Sequence, residues 1–129
     1  MSYNIPNFSS ANFIRSNDIN GTTAGIININ TTNISGRFIP LFVIIEATNV
    51  SGFVTPPTIT IGTTAGLNVD ILVSNALTGV SLTGETIHFS TVTPSTSIPS
   101  STGINVNILT GAVATTYTMT ITLIGIYNY

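Results

Sequence analysis

The last part of the chain alternates strictly between apolar and hydroxyl side chains. Its apolar members are Tyr117, Met119, Ile121 and Leu123, and the residues between them are Thr116, Thr118, Thr120 and Thr122. A repeat of two places successive side chains on opposite faces of a β-strand. The segment therefore predicts a long strand with one face in a core and the other face exposed or in contact with a partner.

Shorter segments show the same alternation. Ile27 and Ile29, Ile59 and Ile61, the residues from Leu67 to Val73, and the set Ile104, Val106 and Ile108 each form one apolar face of a predicted strand. Gly- and Pro-containing turns separate these segments, and none has a helical repeat. About eight short strands with such turns predict an all-β fold, a single antiparallel two-sheet sandwich of jelly-roll type.

Composition limits the functions open to the chain. Its 129 residues suit one domain, and 43% of them are hydrophobic while only 5% are charged. Ordinary soluble domains carry about a quarter charged residues. A surface solvated by Thr and Asn, with a net charge of only −2, predicts a protein that associates with itself or with other proteins.

Two partner classes are excluded on the same grounds. Arg15 and Arg37 are the only basic side chains apart from His88, so there is too little positive charge to bind nucleic acid. No apolar run approaches the roughly 20 residues of a membrane span, and the first residues do not have the pattern of a signal peptide. We therefore expect neither a nucleic acid nor a membrane as a partner.

Residues 1–20 differ from the rest of the chain. Tyr3, Phe8 and Phe13 stand among Ser and Asn without a sustained repeat, which predicts an extended N-terminal arm followed by a sandwich domain at 21–129. Exposed aromatic side chains would lower solubility. We therefore expect the arm to dock, either on its own domain or on a neighbouring subunit.

One predicted strand is apolar on both faces. Regular alternation places Phe38, Phe42 and Ile44 on one face, and it places Ile39, Leu41, Val43 and Ile45 on the other. Two explanations remain open: a central strand covered by the N-terminal arm, or a strand at a subunit interface. Pro40 predicts an edge or a bulge at its end of the strand, because proline cannot donate to the ladder.

Residues able to do chemistry are few, and nothing in their spacing joins them. His88 with Asp70 or Glu85 is the only combination on which a hydrolase could be argued, and it lacks a nucleophile motif. Glu46 is expected to pair with Arg15 or Arg37, or to lie in water. Asn17–Gly21 resembles the start of a calcium loop but lacks its later acidic ligands, so we predict an asparagine turn. We expect no catalytic residue, metal or cofactor, and no enzymatic activity.

Three stretches resemble small jelly-roll structural proteins of tailed-phage virions. They are Arg37–Pro40 with the apolar strand that follows, Pro57–Gly62, and Thr116–Tyr127, and the likeness covers roughly residues 21–129. The resemblance implies a decoration or cement protein on the capsid surface of a bacteriophage, made in the host cytoplasm. It also implies a homotrimer bound to the major capsid protein or another virion protein. The alternative is a receptor- or glycan-binding module of a tail or head fibre.

Anchor residues for such contacts are expected among the large apolar side chains, because aromatic residues dominate binding at interfaces. The candidates are Tyr3, Phe8, Phe13, Phe38, Phe42, Ile44, Tyr127 and Tyr129.

Overall fold

Every regular element that we describe is a β-strand. The computed structural model describes residues 13–29, 37–92, 97–99 and 102–128. The strands are β1 Phe13–Arg15, β2 Ile19–Asn20, β3 Gly25–Ile29, β4 Arg37–Ser51, β5 Thr58–Gly62, β6 Leu72–Ala76, β7 Thr86–Ser90, β8 Ile98–Pro99, β9 Ile104–Thr110 and β10 Thr116–Asn128.

The strands form two sheets, and all their pairings are antiparallel. The six-stranded sheet has the order β1-β10-β4-β7, with β2 also on β10 and β8 also on β4. The four-stranded sheet has the order β3-β9-β5-β6. The predicted all-β, two-sheet antiparallel sandwich is thus confirmed.

The connections divide between the two ends of the sandwich. Loops 21–24, 52–57, 77–85 and 111–115 lie at the end where β4 finishes, which we call the Ser51 end. Loop 63–71 lies at the opposite end, where β4 begins, which we call the Arg37 end. The chain crosses from one sheet to the other at most of these connections.

Alternating side chains from both sheets fill the core. The apolar faces predicted for β5, β9 and β10 are confirmed, because Ile61, Val106 and Ile121 are completely buried. The opposite faces are only partly exposed: Asn107 and Thr122 face outward, whereas Thr60, Asn105 and Thr120 are buried as well. Burial of one such aliphatic side chain stabilises the fold by about 1.5–3 kcal/mol. Tyr117 and Phe38 are the largest of the fully buried side chains.

A bulge in β4 changes which of its residues face the core. Pro40 pairs with Gly125 and Phe42 with Ile124, so Leu41 is an extra residue on this strand. The bulge reverses the alternation, which puts Phe38 in the core on the same side as Val43. The predicted grouping of Phe38 with Phe42 and Ile44 is therefore wrong, whereas the bulge predicted near Pro40 is confirmed.

Loop 63–71 replaces most of the strand that was predicted from Leu67 to Val73. Only residues from Leu72 onward pair with β5. The carboxylate of Asp70 accepts hydrogen bonds from the backbone N–H and the hydroxyl of Thr63, both at 2.7 Å. These bonds close the segment into a compact loop, and its alternating apolar residues never form an extended ladder.

The first described residues belong to the sandwich. Phe13–Arg15 pairs with β10 at Thr122–Ile124, and Ile19–Asn20 pairs with β10 at Thr118–Met119. Residues 13–20 therefore dock on their own domain, which is one of the two alternatives expected for residues 1–20; residues 1–12 lie outside the described residues. This segment can pair with β10 although its sequence does not alternate regularly, because Ile14 and Ile19 are its only large apolar side chains that face the core.

Candidate interaction surface

Three large apolar side chains lie side by side across the outer face of the six-stranded sheet. Phe13 of β1 is opposite Ile124 of β10, and Ile124 is opposite Phe42 of β4. Directly opposed residues share a face and have Cβ atoms about 4.5–5.5 Å apart. Phe13 and Phe42 are each 48% exposed, which is unusual for phenylalanine in a monomer surface. This row points away from the core, and no described residue covers it completely.

The row continues into a larger apolar patch. Ile126 lies two residues beyond Ile124 on the same face, is 48% exposed and pairs with Ile39. Ile44 lies two residues beyond Phe42 in the other direction and is partly exposed. The apolar patch is defined here as Phe13, Ile39, Phe42, Ile44, Ile124 and Ile126. Contiguous exposed apolar surface of this kind marks contact sites in soluble proteins.

The same face becomes polar toward the Ser51 end. Arg15 lies 3.9 Å from the carboxylate of Glu46 across β10, and its Nη2 donates to the hydroxyl of Thr120 at 3.5 Å. Of the three surroundings expected for Glu46, the structure shows the pair with Arg15. Both side chains are substantially exposed, so the pair contributes little to stability. The Arg15–Glu46 pair therefore places one positive and one negative charge at the border of the apolar patch.

The interface candidates fall into three groups. Phe13, Phe42 and Ile44 lie on the apolar patch, which the register brings together from β1 and β4. Phe38 is completely buried in the core and is not exposed on the chain. Tyr3, Phe8 and Tyr129 lie outside the described residues, and the side chain of Tyr127 does as well. Their role in binding stays a prediction.

His88 and Glu85, which are the sequence's candidates for catalysis, lie in surroundings that give each of them a structural role. His88 lies on β7 opposite Ile44, on the exposed face, while Ile87 and Phe89 pack against the core. The carboxylate of Glu85 accepts from the backbone N–H of Ser81 and of Leu82, at 3.1 and 2.7 Å. These amides hold the pKa of Glu85 below its usual value. Glu85 therefore closes a turn in loop 77–85.

Residues 17–21 do not form the single asparagine turn expected from the sequence, because Ile19–Asn20 is strand β2 and the turn begins only at residue 21. The side-chain oxygen of Asn20 accepts from the backbone N–H and the hydroxyl of Thr22, at 3.0 and 2.7 Å. Asp18 accepts from the hydroxyl of Thr48 at 3.3 Å. Among the described residues, no three His, Cys, Asp or Glu side chains are grouped in a way that could hold a metal ion.

A second exposed apolar feature was not anticipated from the sequence. Loop 63–71 carries Leu67 and Asn68 with φ angles of 56° and 61°, in the left-handed region. Such a backbone conformation costs roughly 1–2 kcal/mol for a residue with a Cβ. Leu67 is nevertheless 79% exposed. The only sequence signals were Gly62, Gly66 and Asp70, which do not by themselves predict a left-handed leucine.

The described part of the chain contains no helix long and apolar enough to cross a membrane. No known family model matches the sequence, and no curated protein matches it.

One solved structure shares the fold. A chain of the cyanophage Pam1 capsid asymmetric unit superposes with a TM-score of 0.59 and 16% sequence identity, over 90% of this chain and 82% of that chain. At this identity the likeness concerns the fold alone. The coverage on both sides also means that the two chains are similar in length.

Proposed function

We propose that this protein is a non-enzymatic structural protein of a phage virion, which decorates and cements the capsid through protein–protein contacts. The observation that carries the proposal is the apolar patch, a hydrophobic surface on a sheet that no described residue covers completely. A second copy, or another virion protein, is the partner class that such a surface fits. The fold shared with a chain from a phage capsid supports a place in the capsid.

The order of the strands supports a jelly roll. If β1 with β2 and β7 with β8 are each counted as one interrupted strand, each sheet has four positions. Eight strands in two sheets, with the chain crossing between them at most connections, is the arrangement of jelly rolls in viral capsid proteins.

The apolar patch is our candidate for the contact between subunits of a homotrimer. Its centre combines two half-exposed phenylalanines with flanking isoleucines, and aromatic residues of this kind supply most of the energy at hot spots. The patch is uncharged and has the Arg15–Glu46 pair at its border. Exposed Arg37, two residues from Ile39 on β4, adds a positive charge at the other border, so the charged groups lie at the rim of the patch and its centre is apolar.

The test uses capsids of the phage whose genome encodes the chain, assembled without this protein. Purified protein is added, and the capsids are sedimented and imaged by electron cryomicroscopy. We expect saturable binding at a fixed number of copies per capsid, with density on the outer capsid surface. Capsids that already carry the protein are the matched control and should bind no more. An absence of binding, or density only on a tail or fibre, would contradict the proposal.

A further inference from the structure

Asn20 and Gly21 form the only Asn–Gly pair in the sequence. This dipeptide is the one most prone to spontaneous deamidation, because glycine has no Cβ to hinder the backbone nitrogen that attacks the asparagine side chain. Every other asparagine in the chain is followed by a residue with a side chain. In the unfolded chain, Asn20 is therefore the asparagine that loses its side-chain amide first.

The reaction joins two atoms of neighbouring residues. The backbone nitrogen of Gly21 loses its proton and attacks Cγ of Asn20, so that a new C–N bond closes a five-membered ring while the Cγ–Nδ2 bond breaks and ammonia leaves. Water then adds to one of the two ring carbonyls and opens the ring, which gives aspartate or isoaspartate. The ring can close only when the backbone at Asn20 leaves the extended conformation of a β-strand.

The backbone of Gly21 is held on both sides in the folded protein. Its N–H donates to the carbonyl of Tyr117 at 2.7 Å, and its carbonyl accepts from the N–H of Ala112 at 2.8 Å. Gly21 is buried, and a Cβ added to it would lie 2.7 Å from the ring of Tyr117. The packing of this ring therefore requires glycine after Asn20, and the attacking nitrogen is bound to the opposite strand.

Asn20 is constrained as well. It belongs to β2 and pairs with Thr118 of β10, which keeps its backbone extended. Its side-chain oxygen accepts from both the backbone N–H and the hydroxyl of Thr22, and these two bonds fix the orientation of the side chain. The hydrogen bonds that shape the start of this turn thus also prevent the ring from closing.

The strand that provides this protection is short. β2 has two residues, lies at the edge of the six-stranded sheet and pairs with β10. Ile19 is the only one of its two side chains that is buried, with 4% exposed. Short elements with few buried contacts open at a lower free energy than the whole domain. Opening of β2 would release Asn20 and Gly21 together while the rest of the sandwich stays folded.

We propose that Asn20 is a deamidation site that the pairing of β2 with β10 protects, and that it reacts only while this pairing is open. This inference does not depend on the proposed function. The isoaspartate product has one more carbon in the backbone before Gly21, so the N–H of Gly21 could no longer align with the carbonyl of Tyr117. A transient opening of β2 would thus become a permanent loss of its pairing.

The experiment follows deamidation of the full chain by peptide mass mapping in mildly alkaline buffer. In denaturant, Asn20 should react faster than every other asparagine. In the folded wild type, it should react about tenfold or more slowly than in denaturant. I19A removes the side chain that anchors β2 and should restore much of the lost rate. I104A is the matched control, because Ile104 is completely buried in β9 of the other sheet.

Hydrogen exchange at Gly21 provides a second measurement that needs no variant. The same nitrogen must be released for exchange and for deamidation, so both reactions should be slowed by a similar factor in the folded wild type. Exchange that is fast at Gly21 while Asn20 stays unreacted would overturn the role of the strand pairing. Equal deamidation of Asn20 in the folded and the denatured protein would overturn the protection itself. Equal acceleration in I19A and I104A, at equal losses of stability, would mean that global unfolding opens the site.

Discussion

The hydroxyl of Tyr117 donates a 2.7 Å hydrogen bond to the backbone carbonyl of Val80 inside the core. This bond ties the start of β10 in the six-stranded sheet to loop 77–85. Burial and, to a smaller extent, the nearby negative charge of Glu85 together raise the pKa of Tyr117 to about 12. The ring also lies 6.2 Å from that of Phe53.

Replacing Tyr117 by Phe should lower the free energy of unfolding at pH 7 by about 1–3 kcal/mol, because the carbonyl of Val80 loses its donor. The pH dependence should change as well. A pKa of about 12 in the folded state exceeds the value of 10.0 for a free tyrosine. The wild-type contribution is therefore complete below pH 10 and is lost as the pH rises toward 12. Denaturant unfolding at several pH values measures both effects, and an equally steep alkaline loss in Y117F would contradict the assignment.

Replacing Glu85 by Gln should weaken loop 77–85 above the usual pKa of a glutamate. The lowered pKa means that the folded state favours the carboxylate. Its contribution is therefore present above the ordinary value of 4.5 and disappears as the pH falls through the lowered value in the folded state. Wild type and E85Q should differ in melting temperature at pH 7 and converge in acid. The control is E46Q, whose exposed ion pair should matter little; a constant difference between wild type and E85Q at all pH values would refute the assigned cause.

Two isoleucines on β10 provide a test of the two faces. Ile121 is completely buried, whereas Ile126 is 48% exposed. I121A should therefore lower the free energy of unfolding by about 2–5 kcal/mol, since it removes a transfer contribution and leaves a cavity. I126A should change it by less than about 0.5 kcal/mol, as is usual for surface substitutions. Equal losses would mean that the outer face of β10 is covered within the subunit.

Replacing Phe42 by Thr tests the apolar patch in self-association. Threonine suits an exposed strand position, so the melting temperature should stay within a few degrees of that of the wild type. The mass measured by light scattering should fall from the oligomer toward the monomer. V54T is the matched control, because Val54 is exposed in loop 52–57 at the Ser51 end, away from the patch. An unchanged mass in F42T would remove the patch as the subunit contact.

The sandwich could be predicted because period-two alternation depends only on local geometry. The predicted apolar faces of β5, β9 and β10 lie in the core, with Ile59, Ile61, Val106, Met119 and Ile121 completely buried. The Arg15–Glu46 pair could be named only as one of several options. Its partners lie 31 positions apart in the sequence, and the register that joins them through β10 is a property of the whole sheet.

Other features could not be predicted from the alternation of apolar and polar residues, because local contacts change the backbone at particular positions. Leu67 to Ile71 alternate like a strand, yet the hydrogen bonds of Asp70 close them into a loop. The apolar patch was anticipated through Phe13, Phe42 and Ile44, but Phe38 was assigned to the wrong face because the length of the bulge at Leu41 is not visible in the sequence. Ile124 and Ile126 are not among the predicted contact residues, because the residues that precede them on the outer face of this strand are threonines.

The bulge in β4 also determines how this strand tolerates changes in length. The hydroxyl of Thr91 donates to the carbonyls of Pro40 and Leu41, and Leu41 has no partner in the register with β10. Without Leu41, the segments 37–40 and 42–47 would alternate between the core face and the outer face as one regular strand. Every remaining side chain would therefore stay on its present face. Deleting Ile44 instead would turn one half of the strand over, exposing core residues and burying the patch. The gene can therefore lose a codon at position 41 at far lower cost than at position 44.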